Sequence, residues 1–209
     1  ISEIVGEEHI GWRYDPIFID DKYTVKYHLE QFEGISAALQ GYTKNCVISF
    51  LDLYQKVKRN FPEVKMVSKE QRKYLGERMT RIATEHKMIL RPCGEGTELA
   101  AFGADCNGCM AQQIYENAIH MSLDMPKKQF LRKECACYLG NDIGAYNSCP
   151  HMCKYCYANY DEKRVRLNRI NHNPKSAFLI GDDMPNDKVH KAVQKSWING
   201  QISLNGFFI

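Results

Sequence analysis

The chain reads as an α/β protein, with a partial (β/α) barrel-like parallel sheet over residues 1–125 and a cysteine-rich C-terminal segment over residues 126–209. Three observations lead there. Short apolar runs of strand length alternate with helix-period stripes through residue 125, the pattern of βα units whose strands lie parallel. Charge changes at the same place, with 15 basic and 18 acidic residues through Met125 and 13 basic and 7 acidic residues from Pro126 onward. Seven of the nine cysteines lie from Cys106 onward, five of them between Cys135 and Cys156.

Taken in order, His9 to Tyr14 (HIGWRY) is a strand that ends at Asp15-Pro16, because proline cannot donate to a central ladder. Thr24 caps a helix carrying Val25, Leu29, Phe32, Ile35 and Leu39 on one face, and Gly41 stops it. Cys46 to Leu51 (CVISFL) is the second strand, and Leu53 to Lys58 a short helix that stops before Pro62. Ser68-Lys-Glu-Gln71 has capping-box spacing and opens a helix through Tyr74, Leu75, Met79 and Ile82 to about Lys87. Met88 to Leu90 is the third strand and delivers Arg91, Pro92 and Cys93; Ala111 to Leu123 is a further helix. After Pro126 only short signals remain, at Ser176 to Ile180 and Lys188 to Trp197, so bound metal is expected to do part of the organising. Three strands cannot close a barrel, which usually takes ~250 residues. The chain also opens inside what reads as a helix end (ISEIVGEE), so it is expected to be a fragment lacking upstream βα units.

Composition narrows the function. With 209 residues, 44% hydrophobic and 25% charged, the chain can bury a core and is neither collagen-like nor disordered. No apolar run approaches the ~20 residues a bilayer-spanning helix needs, and no basic flank precedes an apolar leader. The expectation is a cytoplasmic protein without a membrane partner. A net charge of +3 is too small to point to nucleic acid by itself. Nine cysteines outside a short extracellular format point to metal ligation or redox chemistry rather than to a disulfide framework.

Cys149-Pro-His-Met-Cys153-Lys-Tyr-Cys156 is the strongest motif, a C-x3-C-x2-C array with an aromatic residue just before its last cysteine. A loop of this spacing wraps three thiolates around one corner of a cubane, whose fourth iron then takes a distant cysteine, water or another ligand. A closed zinc site and three unligated thiols are the alternatives.

The array resembles the cluster loop of the radical S-adenosylmethionine enzymes, with Tyr155 at their aromatic position. Together with GWRYDPI (11–17), CVISF (46–50), DIGAYNSC (142–149), YCYANY (155–160) and QKSW (194–197), it resembles the bacterial family called domain of unknown function 1848 along nearly the whole chain. That resemblance implies a [4Fe–4S] cluster on Cys149, Cys153 and Cys156, S-adenosylmethionine at the open iron, an electron donor as partner and an unidentified substrate. It supports the fragment reading, since the family's members carry a further N-terminal portion.

The other cysteines leave choices open. Cys135 or Cys137 is a candidate fourth cluster ligand, and Cys93, Cys109, Cys135 and Cys137 together make a four-thiolate set for zinc or a second cluster. Cys106-Asn-Gly-Cys109 is a C-x2-C pair that would instead serve zinc with Cys153 and Cys156. Cys46, in an apolar strand, reads as a small buried hydrophobe. Ligands of parallel α/β sheets bind beyond the carboxyl ends of the strands, which here present Arg13, Asp15, Asp52, Arg91 and Glu95. Asp15 and Asp52 are candidate contacts to substrate or to the amino group of S-adenosylmethionine; a salt bridge to Arg13 or a helix cap is the plainer alternative. Lys163, Arg164, Arg166 and Arg169 follow the tyrosine-rich stretch and, with Asn168 and Asn171, are candidate phosphate contacts. The competing function is a non-catalytic zinc module that joins this basic segment to a partner such as nucleic acid.

Overall fold

The computed structural model describes residues 1–126, 135, 137–138, 144–188, 190–191, 193 and 195–200. Of the C-terminal segment expected over 126–209, residues 127–134, 136, 139–143, 189, 192, 194 and 201–209 lie outside the described residues.

Three parallel strands form an open sheet in the order β1 (Gly11–Ile17), β2 (Asn45–Phe50), β3 (Ile89–Pro92). Trp12, Cys46 and Leu90 stand in one row of the register, and Arg13, Val47 and Arg91 in the next. The fold is therefore α/β, and closure into a barrel is not seen among the described residues. After the short α1 (Ser2–Val5), β1 does not stop before the proline. It runs through a cis Asp15-Pro16 bond to Ile17, with an irregularity in the pairing between Tyr14 and Ile17. Proline is accommodated because β1 is an edge strand, where a missing N–H costs the sheet no ladder bond.

Two helices cross between the strands, α2 (Val25–Leu39) and α4 (Lys69–Glu85), separated by the short α3 (Gln55–Asn60). The Thr24 hydroxyl accepts from the Tyr27 N–H at 3.1 Å and so starts α2. Ser68 and Gln71 exchange the two capping-box bonds that start α4, each 3.2 Å. Phe32 from α2 and Leu75, Met79 and Ala83 from α4 pack on Cys46, Ile48, Phe50 and Leu90, all buried. Both helices cover the same face, as sequential strand order with one crossover hand requires. Since strand side chains alternate, the opposite face carries Arg13, Asp15, Asn45, Val47, Ser49, Arg91 and Cys93.

α5 (Gln112–Ile119) ends earlier than the apolar stripe suggests: His120 turns left-handed at φ 54°, and Leu123 pairs instead with Ile198 in an antiparallel bridge. α6 (Glu162–Ile170) is a helix hidden in a charged run, capped where Asp161 accepts from the Arg164 N–H at 3.0 Å. The chain divides into two compact units. The first holds the described residues of Ile1–Leu51, Val67–Leu139 and Lys195–Ile209; the second holds those of Asp52–Met66 and Gly140–Gln194. Among the described residues no helix is long and apolar enough to cross a membrane.

Candidate functional site

In the first unit, chemistry concentrates on the sheet face that α2 and α4 leave open. Cys93 follows β3 directly, its N–H donating to the Ile48 carbonyl at 2.8 Å. Cys109, Cys135 and Cys137 are buried beside Val47, with Cys93 packed against them. The Cys109 and Cys137 sulfurs are 3.3 Å apart. Side-chain hydrogen bonds join Cys93 to Cys109 and Cys135 to Cys137, so the four thiols form a row. The Tyr138 N–H donates to the Met110 carbonyl at 2.8 Å, tying the two cysteine-bearing stretches together by their backbones.

Arg13 reaches over this row. One guanidinium nitrogen lies 3.7 Å from the Cys109 sulfur, the other 2.7 Å from Asp15, which also accepts from the Ser49 hydroxyl at 3.3 Å. The row is electrically uneven. Hydrogen bonding to Cys109 and burial push the Cys93 thiol up; hydrogen bonding to Cys137 pushes Cys109 up, and the same bond pulls Cys137 down. Arg91, 5% exposed, pairs with Asp105 and donates to the Asn45 side chain at 3.2 Å.

Several expected site residues are placed in supporting roles. Asp15 is the partner of Arg13. Glu95 accepts from the Phe50 N–H at 2.8 Å and from Arg72 at 3.0 Å, so it ties β2 to α4. Cys106 and Cys109 do not act as a pair: Cys106 packs against the helix-side core, whereas Cys109 joins the thiol row on the other face. Cys46 is 0% exposed within the helix-side core.

The second unit holds the C-x3-C-x2-C loop. Cys149 and Cys153 are exposed and Cys156 half-buried. The Cys156 N–H donates to the Cys153 carbonyl at 2.9 Å, and the Asn159 N–H reaches the Cys156 sulfur at 3.4 Å. The Asn159 amide also donates to the Cys149 carbonyl, closing the loop on itself. Asn147, 3% exposed and left-handed at φ 57°, accepts from the Tyr160 and Asp161 N–H groups at 2.9 and 3.1 Å. The buried Asn168 amide donates to the Asn147 carbonyl at 3.1 Å. These asparagines hold the loop from behind, and the spacing of the cysteines gave no sign of them.

Among the described residues of this unit, two buried polar atoms, Asn159 Oδ1 and Lys56 Nζ, have no hydrogen-bond partner. Burial pulls the Lys56 ammonium below its ordinary value, while the charge available to Cys156 opposes that; its Nζ lies 5.5 Å from the Tyr160 ring centroid. Tyr155 is half-buried beside Cys156. Asp52 accepts from its neighbour Tyr54 at 3.2 Å. On α6, Arg166 pairs with Glu162 at 2.5 Å, and the Asn168 amide donates to the Asn147 carbonyl. Among the described residues no group of three or more His, Cys, Asp or Glu side chains stands, as placed, so that it could hold a metal ion.

The family described as Domain of unknown function (DUF1848) matches residues 1–158, and so takes in the whole sheet, the thiol row and all three loop cysteines. No curated protein and no solved structure matches the chain.

Proposed function

The chain belongs to the DUF1848 family, and from its own side chains we propose that it is an iron–sulfur protein whose [4Fe–4S] cluster is held by Cys149, Cys153 and Cys156. One observation carries this reading: the loop backbone is fixed by Asn147 and Asn159 while Cys149 and Cys153 remain exposed. Thiols displayed on a fixed loop suit an incoming ligand better than a packed interior. The Asn159 N–H aimed at the Cys156 sulfur is the kind of bond that tunes a cluster's potential. Lys56 Nζ, buried over the Tyr160 ring and without a hydrogen-bond partner among the described residues, supplies positive charge on the side of Cys156.

Three local cysteines leave one iron of a cubane open, and the cluster supplies one-electron chemistry on a ligand bound there. S-adenosylmethionine is the ligand proposed for that position, with Tyr155 beside it. The chain's own part is to fix the three thiolates, to limit water with Tyr155 and Tyr160, and to hold cationic charge at Lys56. Such a cluster belongs in a reducing compartment, and a cytoplasmic location with a reductant as partner is part of the proposal.

Anaerobic purification tests it. The protein should be brown and carry about four iron and four sulfide per chain, and Cys149→Ser, Cys153→Ser and Cys156→Ser should each remove the colour. A colourless protein after anaerobic reconstitution, or zinc on the loop cysteines in its place, overturns the reading. With dithionite and S-adenosylmethionine, formation of 5′-deoxyadenosine supports the open-iron assignment; a cluster that never cleaves it assigns the loop to electron transfer.

A further inference from the structure

We infer that Cys93, Cys109, Cys135 and Cys137 make a second metal site, a closed tetrathiolate for one zinc ion, independent of the loop cluster. Convergence is the first argument. The four residues come from three stretches of chain, after β3, before α5 and at 135–137, yet their thiols form one contiguous row beside Val47. Apolar packing accounts for a single buried thiol such as Cys46. It does not account for four with sulfur contacts between them.

Spacing selects the ion. Zinc–sulfur bonds of ~2.3 Å in a tetrahedron put the sulfurs ~3.8 Å apart. The 3.3 Å between Cys109 and Cys137 is within ~0.5 Å of that edge. A cubane holds its four thiolates on the corners of an inorganic cube, much further apart. The row closes into a tetrahedron if Cys93 and Cys135, at its two ends, turn toward one ion.

Charge is the second argument. Binding one Zn²⁺ to four thiols releases four protons to the buffer and leaves a complex of charge −2. An uncompensated dianion on a sheet face is costly. Arg13 answers part of that demand, with its guanidinium 3.7 Å from the Cys109 sulfur, bonded also to Cys93 and oriented by Asp15. The four ligands complete the zinc shell, so the site is structural and binds no substrate. Its effect is to pin Cys135 and Cys137 onto the open face of the sheet.

The test uses the chain with Cys149→Ser, Cys153→Ser and Cys156→Ser, so that the loop contributes nothing and failure of the cluster reading cannot be mistaken for failure of this one. Reduced, stripped of metal and titrated with zinc(II) against a chromophoric chelator, it should bind one equivalent, and four of its six remaining thiols should stop reacting with a disulfide reagent. Cobalt(II) in place of zinc should give a tetrahedral thiolate spectrum. Adding Cys109→Ser or Cys137→Ser should weaken zinc binding at least a hundredfold, whereas adding Cys106→Ser should not change it. Zinc binding that survives Cys109→Ser, reactivity of Cys93, Cys109, Cys135 and Cys137 that zinc leaves unchanged, or an octahedral cobalt spectrum overturns the site. In case those variants fail to fold, X-ray absorption at the zinc edge of the unsubstituted zinc-loaded protein decides: an all-sulfur shell near ~2.3 Å is expected, and a shell with nitrogen or oxygen refutes it.

Discussion

Alkylation of the reduced, metal-free protein at about pH 8 should leave Cys46 unmodified while Cys149 and Cys153 are consumed. The thiolate is the reacting form, so the rate scales with its population. Burial pushes the Cys46 thiol from an ordinary 9.0 up to about 12, with the charge of Asp15 a smaller contribution. At about pH 8 an ordinary thiol is roughly one-tenth ionised, and one titrating at about 12 only about one part in ten thousand. Ionisation alone therefore slows Cys46 about a thousandfold, equivalent to roughly 4 kcal/mol. Its 0% exposure adds a steric block that only opening of the sheet relieves. The assay is pulsed iodoacetamide labelling followed by peptide mass spectrometry, with a parallel sample in denaturant to show that Cys46 is competent when unfolded. Labelling of native Cys46 within tenfold of the Cys149 rate would refute the reasoning, and would mean that β2 does not sit under α2 and α4. The same logic makes Cys46→Ala neutral for metal content.

Gly34 and Gly76 both lie inside helices and should respond oppositely to alanine. A Cβ at Gly34 meets nothing within 4 Å, so Gly34→Ala should raise the unfolding free energy from urea titration by about 0.5–1 kcal/mol; a Cβ at Gly76 would stand 2.5 Å from both methyls of buried Leu99, so Gly76→Ala should lower it by about 1–3 kcal/mol, and shifts in the same direction would contradict the packing described. His28, 6% exposed between the Tyr14 hydroxyl (2.9 Å) and the Phe18 carbonyl (2.7 Å), is pulled by burial below its ordinary 6.5. The unfolded chain then takes up the proton first, so this contribution to stability is complete above 6.5 and fades as pH falls below it; urea midpoints against pH should be flatter for His28→Gln, and identical slopes would exclude His28 as the cause. Asn147→Ala strands the Tyr160 and Asp161 N–H groups at a left-handed position and should cost about 2–4 kcal/mol, whereas Asn147→Asp keeps the accepting oxygen and should cost less; limited proteolysis within 147–160 reads the difference, and equal cleavage of the two variants would mean that the asparagine does not hold the loop.

Local chemistry was legible where a few neighbouring residues decide the outcome. Thr24 and the Ser68/Gln71 pair announce helix starts, because a cap is written within four residues, and both starts stand where that spacing puts them. Pro16 ends a central strand but not an edge strand, so β1 runs past the proline to Ile17, and edge position is a property of the whole sheet that no local stretch encodes. The charged run of α6 masks a two-residue inner face of Val165 and Asn168, although Asp161 three residues before Arg164 is a readable cap. The sorting of cysteines was the least legible. Cys106 and Cys109 have metal-pair spacing, yet the chain turns between them so that one faces the helix-side core and the other the thiol row. Nothing within three residues encodes which side of a sheet a loop returns to.

That sheet also explains why arginines and thiols share a surface. A parallel sheet is normally covered on both faces, and here α2 and α4 cover one with side chains that are almost wholly apolar. The other face presents Arg13, Asn45, Ser49 and Arg91, which apolar cover would strand without partners at a cost of several kcal/mol for each charge. Its cover must therefore bring acceptors. Asp105 does this for Arg91, and Asp15 does it for part of Arg13. The remaining guanidinium nitrogen points at a sulfur, where a neutral thiol is a weak acceptor and a metal-bound thiolate a strong one. Arg13 is thus better satisfied with ionised sulfur than with the thiol. By reciprocity, Arg13→Met should weaken zinc binding at the four cysteines while leaving the C-x3-C-x2-C loop able to take its cluster. A variant that lost the loop cluster and kept the zinc would reverse the assignment of Arg13.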